Sequence, residues 1–151
     1  MILYHGTNVD FQQIDIRKSN PYKDFGQGFY LTDILVQAEN MAAKKARILG
    51  GSPIVQKYQF DETYLSAPFL NVLLFEKPSK EWAEFIYRNR TRSIPAFSHH
   101  YDIVMGPIAD DGVAYLFKPL RRRFLYSGGI GKGIGIQTIE QTILFRDFTK
   151  H

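Results

Sequence analysis

The chain has 151 residues, of which 44% are hydrophobic and 15% are aromatic, and it contains no cysteine. This length predicts a single domain spanning residues 1–151, and the aromatic content argues against a disordered chain. The absence of cysteine excludes a disulfide framework, a thiolate metal site and a cysteine nucleophile, while the net charge of +4 favours anionic ligands such as nucleotides. No apolar run approaches the ~20 residues that cross a bilayer, and the first residues do not resemble a leader, so we expect a cytoplasmic protein with no membrane partner.

The first third of the chain predicts two strands and one helix. Residues 1–5 are apolar and run into a glycine, which suits a buried strand that ends in a turn. Residues 8–24 are mostly polar and predict a loop, after which two glycines precede a short strand at 29–31. A helix should follow over residues 32–50, capped by Thr or Asp at its start and ended by glycine. Its predicted apolar stripe comprises Leu35, Ala38, Ala42, Ala46 and Leu49.

The remainder of the chain mixes strands and helices without a steady alternation. Strand-like runs occupy 54–60 and 69–75, and Ser79 can cap a second helix in which Trp82, Phe85 and Ile86 share a face. Further predicted elements are a strand at 101–105, a helix at 113–124 kinked by its proline, and a final strand at 142–145. This mixture predicts an α+β fold.

Several segments with reactive side chains have simpler structural explanations. The glycine-rich stretch 127–135 lacks the Ser or Thr that follows Gly-Lys in a phosphate loop and has no helix behind it, so we interpret it as a flexible loop. The arginine run 121–123 indicates a solvated basic face, with contact to a phosphate-bearing ligand as the alternative. The histidine pair 99–100 predicts a surface loop, and the aspartate pair 110–111 predicts a turn. No metal site is predicted.

Three motifs point to a function when they are taken in order. They are residues 3–7 (LYHGT), 25–33 (FGQGFYLTD) and 140–145 (EQTILF). This pattern resembles the ADP-ribosyltransferase superfamily, on its diphtheria-toxin and poly-ADP-ribose-polymerase side. It also looks like a bacterial family of transferase-like domains, the DUF3990 family. The resemblance implies a split mixed β-sheet with flanking helices and an NAD cleft.

The resemblance also implies roles for individual residues. His5 would hydrogen-bond the adenosine ribose, the Gly6 backbone would hold the nicotinamide amide, and Tyr30 would pack on the nicotinamide ring. Gln141 takes the place of the family's catalytic glutamate, so the catalytic set would be His5, Tyr30 and Gln141. The remaining residues that would line the NAD site are Thr7, Gly28 and Met41.

The departures from the family pattern limit the expected activity. Gln141 cannot ionise, so it offers an acceptor oxygen without a negative charge, and Ala38 and Met41 stand where the polymerases carry a serine and a second stacking tyrosine. We therefore expect a bacterial NAD-dependent mono-ADP-ribosyltransferase. The family resemblance also suggests the toxin of a toxin–antitoxin pair with a small antitoxin partner. A protein acceptor is favoured over nucleic acid. The open alternatives are a catalytically silent NAD- or nucleotide-binding module and a protein of this fold that acts on nucleic acid.

Overall fold

Seven strands and two α-helices form the part of the chain that the computed structural model describes, namely residues 1–11, 14–109, 112–118 and 149–150. The strands are β1 (Ile2–Thr7), β2 (Phe29–Leu31), β3 (Ile54–Gln59), β4 (Val72–Leu74), β5 (Ile103–Pro107), β6 (Val113–Phe117) and β7 (Thr149–Lys150). The helices are α1 (Leu35–Leu49) and α2 (Lys80–Arg90), and short 3₁₀ turns lie at Ile16–Lys18 and Glu62–Ser66. The fold is therefore α+β, as predicted.

The strands form two sheets that are joined by one backbone bridge and pack around a shared core. The first has the order β1-β3-β7 and is antiparallel, and the second has the order β2-β6-β5-β4, in which β4 and β5 are parallel. Tyr4 of β1 and Thr32 exchange backbone hydrogen bonds of 2.7 and 2.9 Å, which form an isolated bridge between the sheets. Beyond this bridge no further backbone pairing joins β1 and β2.

Helix α1 lies against β1 through two alanines. Ala38 and Ala42 are buried, whereas Leu49 is 68% exposed, so the buried stripe is narrower than the sequence predicts. The helix is capped at Ile34 without a side-chain bond, because the Thr32 hydroxyl instead accepts from the Ile34 N–H within the preceding turn. Gly50, with a φ of +85°, ends the helix as predicted.

Helix α2 confirms the predicted cap. The Ser79 hydroxyl accepts from the Trp82 N–H at 3.1 Å and satisfies one of the free donors of the first turn. The Trp82 indole N–H then donates to the carbonyl of Pro107 at 2.6 Å, which ties α2 to the end of β5. Ile86 packs into the core on the same side of the helix.

Strand β6 replaces the first half of the predicted helix at 113–124. Tyr115 and Phe117 enter one buried cluster with Leu3 and Phe29, while Ala114 and Leu116 enter another with Phe25 and Val104. A strand that is buried on both faces is apolar at consecutive positions, so it loses the alternation that normally distinguishes it from a helix. The helical spacing of Val113, Leu116 and Phe117 was therefore misleading.

The rest of that predicted helix and the strand at 142–145 lie outside the described residues, as do the segments 110–111, 121–123 and 127–135. No helix in the described ranges combines the length and the apolar character that a membrane span requires.

Candidate functional site

The candidate site lies where β1 and β2 part. An antiparallel ladder that continued from the Tyr4–Thr32 bridge would place Gly6 opposite Tyr30. Side chains satisfy the two backbone carbonyls that this pairing would have used. The His5 Nδ1–H donates to the Tyr30 carbonyl at 2.7 Å, and the Lys45 ammonium donates to the Gly6 carbonyl at 3.0 Å. The gap between the strands is thus bordered by residues of the first two predicted motifs and by one lysine of α1.

His5 is held in its neutral form. Burial, with a smaller contribution from the nearby charge of Lys45, lowers the pKa of His5 to about 3, and the bond to Tyr30 only partly opposes these effects. Since Nδ1 donates to a carbonyl, the neutral ring leaves Nε2 as an acceptor. The Phe29 ring lies with its centroid 4.5 Å from that of His5 and helps to fix the orientation of the imidazole. His5 can therefore accept a hydrogen bond from a ligand hydroxyl.

Tyr30 is hydrogen-bonded at its hydroxyl and half-buried at its ring. The hydroxyl accepts from the Phe25 N–H at 3.0 Å and donates to the Gly26 carbonyl at 2.6 Å, which closes the turn before β2. Burial raises the pKa of the phenol, so the hydroxyl stays protonated. The ring is half-buried, stacks on Phe25 with centroids 6.3 Å apart, and has the Lys23 ammonium 4.9 Å from its centroid. A second cation or a planar cationic ring is the kind of group that such an aromatic surface attracts.

Packing and backbone conformation explain why both motifs contain glycine. A Cβ at Gly6 would overlap the Ala38 carbonyl and lie 2.8 Å from the Ala42 nitrogen, so only glycine allows α1 to approach β1 this closely. A Cβ at Gly28 would overlap the Leu116 side chain, and Gly26 has a φ of +83°. The presence of glycine at these positions therefore follows from packing and is not in itself an indication of a bound ligand.

The remaining predicted residues lie near the gap or outside the described chain. Thr7 is buried, and its hydroxyl bonds to the backbone of Val9 in the turn after β1. Met41 is 43% exposed on α1 and stands one turn before Lys45, so the two share a helix face. Gln141 lies outside the described residues, and its catalytic role stays a prediction.

The sequence pattern does not single out Lys45 as a site residue. It stands beside the exposed Lys44, and such a lysine pair usually indicates a solvated helix face. Its placement depends on the close approach of α1 to Gly6, which brings together residues that are 39 positions apart in the chain.

The prediction of a surface loop is wrong for His99, which is buried, whereas its neighbour His100 is exposed. The His99 Nε2–H donates to the Phe25 carbonyl at 2.7 Å, and Nδ1 accepts from the Tyr101 N–H at 3.2 Å. Burial lowers the pKa of His99 to about 4, so this ring is also neutral. It supports the turn that carries Gly26 and is therefore a structural histidine.

A cavity of about 420 Å³ opens beside His99. Gly26, Gln27, Phe97, Tyr101 and Lys118 contribute to its wall. None of the predicted site residues that the structure describes lines it, so this cavity and the β1–β2 gap are separate places. Within the described ranges, no group of three or more His, Asp or Glu side chains could hold a metal ion.

These features define a small α+β domain whose two sheets part beside a histidine–tyrosine pair. A family model described as "protein of unknown function (DUF3990)" matches residues 1–147, and the chain belongs to this family. The expected DUF3990 membership is thus confirmed. No curated protein and no solved structure matches the chain.

Proposed function

We propose that the protein is an NAD-dependent mono-ADP-ribosyltransferase that binds NAD at the gap between β1 and β2. The observation that carries this proposal is the 2.7 Å hydrogen bond from His5 to the Tyr30 carbonyl at the point where the two sheets part. It joins two motifs that lie 25 residues apart and leaves one ring nitrogen and one aromatic ring available to a ligand. The two sheets meeting at a single bridge are compatible with the split sheet that the resemblance implies.

The chemistry of the gap suits the two ends of NAD. The Nε2 of neutral His5 accepts a hydrogen bond from the adenosine ribose. The Gly6 N–H points to the same side of β1 as the Tyr4 N–H, since these groups alternate along a strand, and it donates to the nicotinamide carboxamide. The Tyr30 ring packs on the cationic nicotinamide.

Transfer then requires cleavage of the bond between nicotinamide and its ribose. The bond electrons leave with nicotinamide, which becomes neutral, and the ribose carbon develops positive charge. The Gln141 amide oxygen accepts a hydrogen bond from a ribose hydroxyl and orients the breaking bond. A nucleophilic side chain of an acceptor protein forms the new bond and loses its proton to solvent. Because Gln141 supplies no charge, we expect modest turnover.

The first experiment tests the site through His5. NAD affinity is measured by calorimetry for the wild type, His5→Gln and the matched control His100→Gln, whose parent side chain is exposed away from the gap. Glutamine can still donate to the Tyr30 carbonyl, so His5→Gln should remain folded while losing the aligned acceptor. We expect about tenfold to a hundredfold weaker NAD binding for His5→Gln only. Equal affinities in all three proteins would refute the assignment of His5.

The second experiment tests the chemistry through Gln141. Nicotinamide release is measured for the wild type, Gln141→Ala, Gln141→Glu and the control Gln137→Ala. We expect Gln141→Ala to lower turnover by about 10²-fold with little change in NAD affinity, because a preorganised polar contact is lost. Gln141→Glu should retain or raise turnover. Unchanged turnover in Gln141→Ala would place the catalytic group elsewhere, with Glu140 and Asp110 as the next candidates.

The same assays separate the enzyme from its alternatives. A wild type that binds NAD without releasing nicotinamide, but becomes active as Gln141→Glu, would be a silent binding module. Transfer of label from NAD to RNase-sensitive material would indicate a nucleic-acid acceptor in place of protein. The further proposal of a toxin with a small antitoxin predicts a short open reading frame beside the gene whose product binds this chain and suppresses transfer. Cytoplasmic location belongs to the same proposal.

A further inference from the structure

Lys45 places an ammonium group at the β1–β2 gap. Helix α1 crosses β1 at Gly6, and the half-buried Lys45 side chain donates to the Gly6 carbonyl at 3.0 Å. An ammonium group has three donors, so two remain after this bond. Burial and the charge of Lys23 lower the pKa of Lys45 to about 8, which still leaves the group mostly charged at neutral pH.

Lys23 adds a second cation at the Tyr30 ring. Its ammonium group lies 4.9 Å from the centroid of the Tyr30 ring, and the residue is exposed. The charges of Lys23 and Lys45 both lower the pKa of His5, and Lys23 also lowers the pKa of Lys45. The three groups therefore belong to one electrostatic cluster whose histidine is neutral and whose lysines repel each other.

Three carboxylates of the described ranges form ion pairs with cations outside this cluster. In the ranges that the structure describes, ion pairs join Glu62 to the N-terminus, Asp15 to Arg17 and Asp24 to Arg90. Neither lysine of the cluster takes part in an ion pair with a described residue. Two neighbouring cations, one of them half-buried, are stabilised when an anion lies between them.

We propose that Lys45 and Lys23 bind a phosphate-containing anion at the β1–β2 gap, with Lys45 as the principal contact. This proposal extends the proposed function. It rests on that function for the identity of the anion, which would be the diphosphate that links the two halves of NAD. Lysine ammonium groups are common phosphate ligands, and the spare donors of Lys45 can reach an anion without giving up the Gly6 carbonyl. The lysine pair thus selects diphosphate-bearing ligands over free nicotinamide or nucleosides.

Calorimetry with two probes tests this proposal. Inorganic diphosphate and ADP-ribose are titrated at pH 7 into the wild type, Lys45→Met, Lys23→Met and the control Lys44→Met, which removes an exposed charge from the same helix. We expect Lys45→Met to weaken binding by about tenfold or more and Lys23→Met to weaken it less, with Lys44→Met close to the wild type. If Lys45→Met loses affinity for ADP-ribose only, the natural ligand is a diphosphate linked to a nucleotide. If it loses affinity for inorganic diphosphate only, the natural ligand is a free anion.

A second readout guards against a simple folding defect in Lys45→Met. An anion beside Lys45 raises its pKa, so binding of ADP-ribose at pH 8 should take up a fraction of a proton in the wild type and in Lys44→Met but not in Lys45→Met. Binding of neither probe to the wild type, or equal affinities for Lys45→Met and Lys44→Met, would overturn the proposal. Because these titrations involve no turnover, they succeed or fail independently of nicotinamide release.

Discussion

Gly6→Ala tests whether the glycine of the first motif is required by packing. The new Cβ would overlap the Ala38 carbonyl and lie 2.8 Å from the Ala42 nitrogen, where ordinary contact begins at 3.4 Å. Both neighbours are helix backbone, so no side chain can rotate away and α1 as a whole must move from β1. Overpacking of this kind costs about 1–3 kcal/mol, and we expect the upper part of that range.

Urea unfolding measures this cost. With a denaturant slope of about 2 kcal/mol/M, the Gly6→Ala midpoint should fall by about 1 M. Gly50→Ala is the matched control, because Gly50 has a φ of +85° with nothing within 4 Å of its would-be Cβ, so its replacement strains only the backbone at a cost of about 1 kcal/mol. A Gly6→Ala midpoint no lower than that of Gly50→Ala would refute the packing argument. The glycine would then be better explained by approach of a ligand.

Two further predictions concern the stability of the site. Tyr30→Phe removes the hydroxyl that bonds to Phe25 and Gly26 but keeps the ring. We therefore expect the free energy of unfolding to fall by about 1–3 kcal/mol while NAD affinity changes little. A large loss of NAD affinity in a stable variant would contradict this division of roles between the hydroxyl and the ring. His5 and His99 have folded pKa values of about 3 and 4, below the ordinary 6.5, so the unfolded chain binds protons first as the pH falls. The contribution of the two histidines to the free energy of unfolding should therefore be complete above pH 6.5 and be lost as the pH falls from 6.5 to about 3. The decline should be shallower in His5→Gln, and identical slopes for the variant and the wild type would show that His5 is not held neutral.

The sequence by itself determined the local features of this protein. Ser79 as a helix cap and Gly50 as a helix end were predictable because each acts on backbone groups within four residues. The strand at Phe29–Leu31 and the family membership were likewise readable, since both depend on short runs of residues with characteristic spacing. His5 and Tyr30 were singled out for the same reason.

Only the tertiary structure decided how these features meet. The β conformation of residues 113–117 depends on burial on both faces by partners distant in the chain, and the burial of His99 depends on the Phe25 carbonyl 74 residues away. The contact of Lys45 with Gly6 likewise arises because two alanines let a helix lie directly on a strand. Hydrophobic periodicity reports which side chains avoid water but not which partner covers them. A buried histidine or a lysine at a strand gap therefore becomes visible only when the packed elements fix its neighbours.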